Sequence, residues 1–165
     1  MRKLIMLIVA LVMATGAKAQ YLNEPEKVFQ EETIYIGASL SGLSLTYNKD
    51  TDFSFGVEAK GGYMFIDDWM VTARVGFTTQ KSLPNTLRLG AGVRYYFERN
   101  GIFLNAGASY AKQGDYKDFK PEIGAGYAFF LSRTVTVEPE LYYEFSTKQS
   151  RYNTLGLRIG FGVYL

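Results

Sequence analysis

Glu138 and Glu140 stand two residues apart in the stretch VTVEPELYYE. In an extended chain that spacing projects both carboxylates from one face, and two such carboxylates can divide the work of general acid and general base. A second constellation pairs Asp50 and Asp52 in one polar stretch with Asp115 and Asp118 in another. Those oxygens could clasp a hard cation. Gly-x-Gly pairs recur, but no helix pattern follows them, so they are not dinucleotide-binding loops. What the chain lacks decides among these chemistries. It has no histidine and no cysteine, which removes the usual general base, imidazole and thiolate metal sites, and any disulfide framework. Glu138 and Glu140 therefore read as acceptors for arginines on their own face, and the loop aspartates as solvated charges. No catalytic residue, cofactor or metal ligand is assigned.

The elements that must position these residues are strands. Residues 1–19 are set aside first: Arg2 and Lys3 precede the apolar run Leu4 to Ala14, and Ala17-Lys18-Ala19 follows. This is the pattern of a cleaved signal peptide, and the run is too short to cross a bilayer as a helix. The whole chain carries 18 basic and 16 acidic residues. Without Arg2, Lys3 and Lys18 the balance becomes 15 to 16, so the mature chain is nearly neutral and has no nucleic-acid signature. Residues 20–32 are polar and acidic and read as a flexible periplasmic leader, leaving 33–165 as one domain.

From Thr33 onward the apolar pattern has period two, and no stretch shows an amphipathic helix with its caps. Eight strands are predicted, at about 33–47, 53–65, 69–79, 86–97, 102–111, 119–131, 135–146 and 153–165. Tight turns are expected at 66–68, 98–101 and 132–134, the second containing the hairpin dipeptide Asn100-Gly101. Longer polar connections are expected near 48–52, 80–85, 112–118 and 147–152. A bulge or a frayed end is expected at one or both of Pro121 and Pro139, and a similar break at Gly42, where the apolar phase of Ile34, Ile36, Ala38 and Leu40 changes to that of Leu43, Leu45 and Tyr47. GAGVRYYF, GAGYAFFL and GFGVYL repeat at hairpin intervals, as an up-and-down meander would.

The two faces differ in kind. The last strand sets Leu155, Leu157, Ile159, Phe161, Val163 and Leu165 against Gly156, Arg158, Gly160, Gly162 and Tyr164. The strand at 86–97 sets leucines, Val93, Tyr95 and Phe97 against Arg88, Gly90, Gly92, Arg94 and Tyr96. An eight-stranded barrel has an interior only wide enough for side chains to fill or for one small ligand. The bulky set does not fit there, whereas glycine beside arginine and glutamate does. Energy agrees with volume, because an Arg or Lys facing the lipid midplane costs about 2–4 kcal/mol. The polar face holds Lys60, Arg74, Arg88, Arg94, Lys120 and Arg158, with Glu58, Glu122, Glu138, Glu140 and Glu144 to meet them. These eleven residues are the predicted lumenal charge network of an all-β, eight-stranded antiparallel up-and-down transmembrane β-barrel. Aromatics near the tight turns (Tyr63, Phe65, Trp69, Tyr95, Phe97, Tyr127, Phe129, Tyr143) and near the longer loops (Tyr47, Phe53, Phe77, Tyr110, Phe119) read as two interfacial girdles.

The closing octapeptide RIGFGVYL is similar to the C-terminal assembly signal of outer-membrane barrels, with Arg158, Gly160, Val163 and Leu165 at its positions. It departs in ending on leucine where many members end on an aromatic. With the signal peptide and the eight strands, the mature chain resembles the small OmpA/OmpX-type barrel superfamily over nearly its whole length. The resemblance implies a multi-pass protein of a Gram-negative-type outer membrane, monomeric, bedded in outer-membrane lipid and lipopolysaccharide. It also implies barrel-assembly machinery and periplasmic chaperones as partners in biogenesis. Enzymes of similar architecture use a histidine base, which is absent here, so a non-enzymatic structural or surface-binding role is expected. A narrow porin-like channel is the alternative, and a soluble periplasmic ligand-binding barrel a third. Both ends of the mature chain and the tight turns are expected on the periplasmic side.

Overall fold

Period-two alternation becomes strand throughout the computed structural model, which describes residues 28–43, 54–80, 83–97, 101–114, 116–148 and 153–165. The strands are β1 (Ile34–Leu43), β2 (Ser54–Ile66), β3 (Trp69–Gln80), β4 (Leu83–Tyr96), β5 (Ile102–Gln113), β6 (Tyr116–Tyr127), β7 (Phe129–Phe130), β8 (Val135–Glu144) and β9 (Thr154–Tyr164). Every pairing is antiparallel, each strand bonds its sequence neighbour except that β6 and β7 do not bond each other, and β1 bonds β9, which closes the sheet. β6 and β7 both pair with β8 and form one stave broken at Ala128, so the barrel has eight staves. The signal peptide, the first part of the leader, Asp50, Asp52 and Asp115 lie outside the described residues.

Each tight connection is held by a backbone device. Asp68 takes a left-handed φ of 64° in the β2–β3 turn, and Gly101 one of 69° where β5 begins. The expected longer loops near 80–85 and 112–118 are a correction. β5 and β6 stay in register to Gln113↔Tyr116, leaving only Gly114 and Asp115 between them, and Gly114 has a φ of 57°. Likewise β3 reaches Gln80 and β4 starts at Leu83. The polarity of these ends suggests loop, but a cross-strand partner holds the backbone extended whatever its side chains. Asp118 consequently sits within β6, not in a loop.

The β2–β3 register slips between Met64 and Ile66 and the β3–β4 register between Thr78 and Gln80, both at strand ends. The other irregularities fall where the sequence breaks period or lacks a donor. The β1–β9 register slips between Ser41 and Leu43, so Gly42 is an extra residue in its strand, a bulge that matches the change of apolar phase there. Neither strand proline produces a bulge. The β6–β8 ladder starts at Glu122↔Glu144, one residue past Pro121, whose carbonyl accepts the Phe145 amide at 2.8 Å. The same ladder stops at Gly126↔Glu140 and resumes, in unchanged register, at Phe129↔Val137. Pro139, which has no N–H to offer, stands opposite the gap.

Burial alternates with the strand period, and the apolar phase is the exposed one. Ile36, Leu141 and Phe161 expose 57%, 55% and 50% of their surface, while Arg94, Glu138 and Arg158 expose 0%, 3% and 3%. A wall of this kind, with apolar residues outward around its circumference, is solvated by lipid. Trp69, Tyr95 and Phe97 pack ring against ring, tilted or edge-on, near the tight turns, as do Tyr127 and Phe129. Tyr143 does not belong to that girdle. β8 starts at the 131–134 turn, so Tyr143, packed on Phe145, lies at the opposite end.

The last residues of the expected leader are another correction. Residues 28–32 fold across the turn-side end of the barrel, with Phe29 only 4% exposed. The Phe29 carbonyl accepts the Asp68 amide at 2.9 Å and the Glu32 amide donates to the Met64 carbonyl at 2.9 Å. Glu32, with φ of 72°, turns the chain back into β1. Their polarity suggested an unattached leader, but backbone hydrogen bonds and one buried ring hold them.

Candidate functional site

Inside the wall, side chains form layers that follow the strands from turn end to loop end. The turn-end layer is Phe29, Tyr35, Met64, Met70, Tyr96, Phe103, Ala128 and Tyr164. Its phenols point away from the mouth and toward charge. Tyr96 and Tyr164 share a hydrogen bond of 2.8 Å between hydroxyls, and Tyr35 and Tyr164 each donate to Glu138 at 2.9 Å. Thr136 donates to Glu138 Oε1 at 2.9 Å and Arg94 Nη1 binds Oε2 at 2.7 Å. Glu138 thus carries four donors while wholly buried, and a buried carboxylate with such a shell stays where it is put.

The middle layer is a lattice. Arg158 lies within 3.1 Å of Glu122, 3.5 Å of Glu140 and 3.8 Å of Glu58. Glu140 also meets Lys60 and Arg94, each at 3.6 Å, and accepts from Asn105 at 3.1 Å. Arg74 binds Glu122 across the barrel. Two guanidiniums rest on rings as well, Arg94 at 3.9 Å from the Phe103 centroid and Arg158 at 4.3 Å from that of Tyr142. Toward the loops, Glu144 holds Arg88, with Lys120 at 3.8 Å.

All eleven residues singled out by periodicity are therefore inward, and each lies within 4 Å of an opposite charge. One acid was missed. Asp118 is 2% exposed and accepts from Ser146 Oγ at 2.7 Å and Thr147 Oγ1 at 3.2 Å. It shares the phase of Lys120 and Glu122, which was the available signal, and it brings the buried carboxylates level with the six cations. Tyr35, Asn105 and Thr136 add hydrogen bonds to these acids; no charge marks them in the sequence.

Glycine beside arginine now has a spatial cause. A Cβ at Gly90 would lie 2.6 Å from Arg74 Nε, and one at Gly124 would lie 2.8 Å from Glu140 Oε1. The Tyr35 ring covers both Gly37 and Gly162, where a Cβ would come within 2.4 Å of it. Gly160 is different, since a Cβ there meets nothing nearer than 3.6 Å. In the rest of the terminal stretch, Arg158 joins the lattice while Val163 and Leu165 face outward at 36% and 68% exposure. Ile34 and Leu165 exchange backbone hydrogen bonds of 3.0 and 2.8 Å, which closes the β1–β9 seam.

Glu138 and Glu140 are saturated by cations and hydroxyls, and no group of three potential ligands that could hold a metal occurs among the described residues. No protein-family model matches the chain, and no curated protein matches it in sequence. Solved structures do match in fold. The N-terminal barrel domain of OprF from Pseudomonas aeruginosa superposes with a TM-score of 0.66 at 14% identity, over 82% of this chain and 98% of that domain. The chain has the fold of an eight-stranded outer-membrane barrel. Neisserial surface protein A matches this barrel with a TM-score of 0.56 at 11% identity, covering 79% of this chain and 96% of the other. Ail, the attachment invasion locus protein of Yersinia pestis, matches it at 0.52 and 16% identity, covering 82% and 99%. With identities so low, it is the barrel that these proteins share, not a lumen or a loop.

Proposed function

We propose that the chain is a non-enzymatic integral protein of a Gram-negative-type outer membrane, with a closed, ion-paired lumen, whose work is structural or surface-binding. In this reading residues 1–19 are removed on export and the barrel stands as a monomer in outer-membrane lipid and lipopolysaccharide. Periplasmic chaperones and the barrel-assembly machinery deliver it there. The observation that carries the reading is the density of the lattice: the middle layer is filled by paired charges, and glycine appears where a Cβ would collide with them. A conducting lumen needs a continuous path of water, and eight staves leave little room for one beside such a filling. Gly160 supports the assembly part of the reading, because lumenal crowding does not require glycine there. The test is conductance of the refolded barrel in planar bilayers. Silence is expected; steady single-channel steps from the unmodified chain would replace this reading with that of a narrow channel.

A further inference from the structure

The turn-side mouth is closed by a different device from the lattice. Phe29 belongs to no strand, yet its ring stacks on Tyr96 at 4.2 Å between centroids and 21° between planes. It meets Tyr164 edge-on at 5.6 Å and Phe130 at 5.7 Å. Its three neighbours come from β4, β9 and β7, so one ring from ahead of the barrel bridges staves that do not adjoin. Behind it lie the paired hydroxyls of Tyr96 and Tyr164, and behind those Glu138 and Arg94. The segment is tied to the β2–β3 turn from outside, through the Phe29 and Glu32 backbone and a 2.8 Å bond from the Glu31 amide to Asp67. A ring buried at its tip, on a short strap fastened at the rim, has the construction of a cork.

We infer that residues 28–32 are a cork for the turn-side mouth, and that the Phe29 ring is what keeps solvent from the Tyr96–Tyr164–Glu138–Arg94 layer. The inference builds on the closed-lumen reading and adds to it. The lattice blocks the middle of the barrel, while the cork decides whether its turn-side third is wet or dry. The strap is the part of the wall-free chain nearest the entry of β1, so a pull on the residues upstream would act on Phe29 before it acted on any strand.

The absence of native cysteine makes the test direct. Thr136, 0% exposed and bonded to Glu138, takes a cysteine of nearly its own size behind the cork. Ser109, 4% exposed and paired across the ladder with Lys120, takes a control cysteine toward the loops. Refolded Thr136→Cys and Ser109→Cys barrels, each with and without Phe29→Ala, are timed against a small charged thiosulfonate in detergent. Their fold is checked by heat-modifiable gel migration. Withdrawing the ring is expected to speed labelling at Thr136→Cys about tenfold or more, as local opening without global unfolding would, and to leave Ser109→Cys unchanged. Equal rates at Thr136→Cys with and without the ring overturn the cork, and so does equal acceleration at both cysteines, which means a loosened barrel. If Phe29→Ala does not refold, Phe29→Leu is read the same way, and a folded leucine variant with no acceleration overturns the inference. Conductance of the unmodified barrel, recorded alongside, reports on the closed lumen separately.

Discussion

Glu140 is the residue on which the lattice depends most. Three cations lie within 3.6 Å of its carboxylate and Asn105 donates to it. A buried pair contributes little net stability when intact, because desolvation opposes attraction, but removing one partner leaves the others charged without compensation. Glu140→Ala is therefore expected to destabilise the barrel by about 3–5 kcal/mol, measured by urea unfolding in detergent. Glu58 is the contrast. Its contacts are Arg158 at 3.8 Å and Ser39 at 3.5 Å, and Arg158 keeps Glu122 and Glu140 without it. Glu58→Ala should cost less than half as much in the same assay. Equal losses from the two substitutions would mean that the charges act through total balance and not through the contacts described.

At the scale of the element, the glycines of β9 separate lumenal packing from the proposed assembly signal. Gly162 lies under the Tyr35 ring, and Tyr35 is bonded to Glu138, so a side chain at Gly162 displaces a ring that helps to seat the turn-end layer. Gly160 lies in the same strand and phase with ordinary space around it. Gly162→Ala is thus expected to destabilise the refolded barrel by about 1–3 kcal/mol through forced overpacking, read as a lower urea midpoint, whereas Gly160→Ala leaves the midpoint unchanged. If Gly160 serves the assembly signal, its alanine variant should refold normally in vitro but accumulate more slowly in outer membranes of growing cells. Normal accumulation would assign Gly160 to neither role.

For the whole molecule, the tight turns, the strap and the last residue all lie at one end. Leu165 bonds Ile34, and Phe29 bonds the β2–β3 turn. An even number of staves puts the entry to β1 and the exit from β9 at the same end of the barrel. The orientation expected from the sequence sets that end in the periplasm. Peptide tags inserted near Asn48 or at Gly114, the tip of the β5–β6 hairpin, should then be labelled on intact cells, and a tag near Asn100 should not. Labelling at Asn100 alone would invert the barrel.

The sequence by itself determined the wall. Alternation with period two distinguishes outward from inward at almost every position, since a strand has only two faces and the cost of a charge in lipid forbids exchanging them. Arg158, Glu138 and Gly90 were legible in this way, as was the bulge at Gly42, where the phase changes. Asp118 obeyed the same rule and was lost only to a misplaced strand end. Pairing inside the lumen was not legible. Arg74 meets Glu122 and Arg158 meets three acids because closure, stagger and tilt bring distant staves together, and no spacing along the chain encodes those distances. Phe29 is the extreme case. Nothing in a polar segment marks one phenylalanine as buried, because its burial depends on a socket made by Tyr96, Phe130 and Tyr164, which exists only once the barrel has closed.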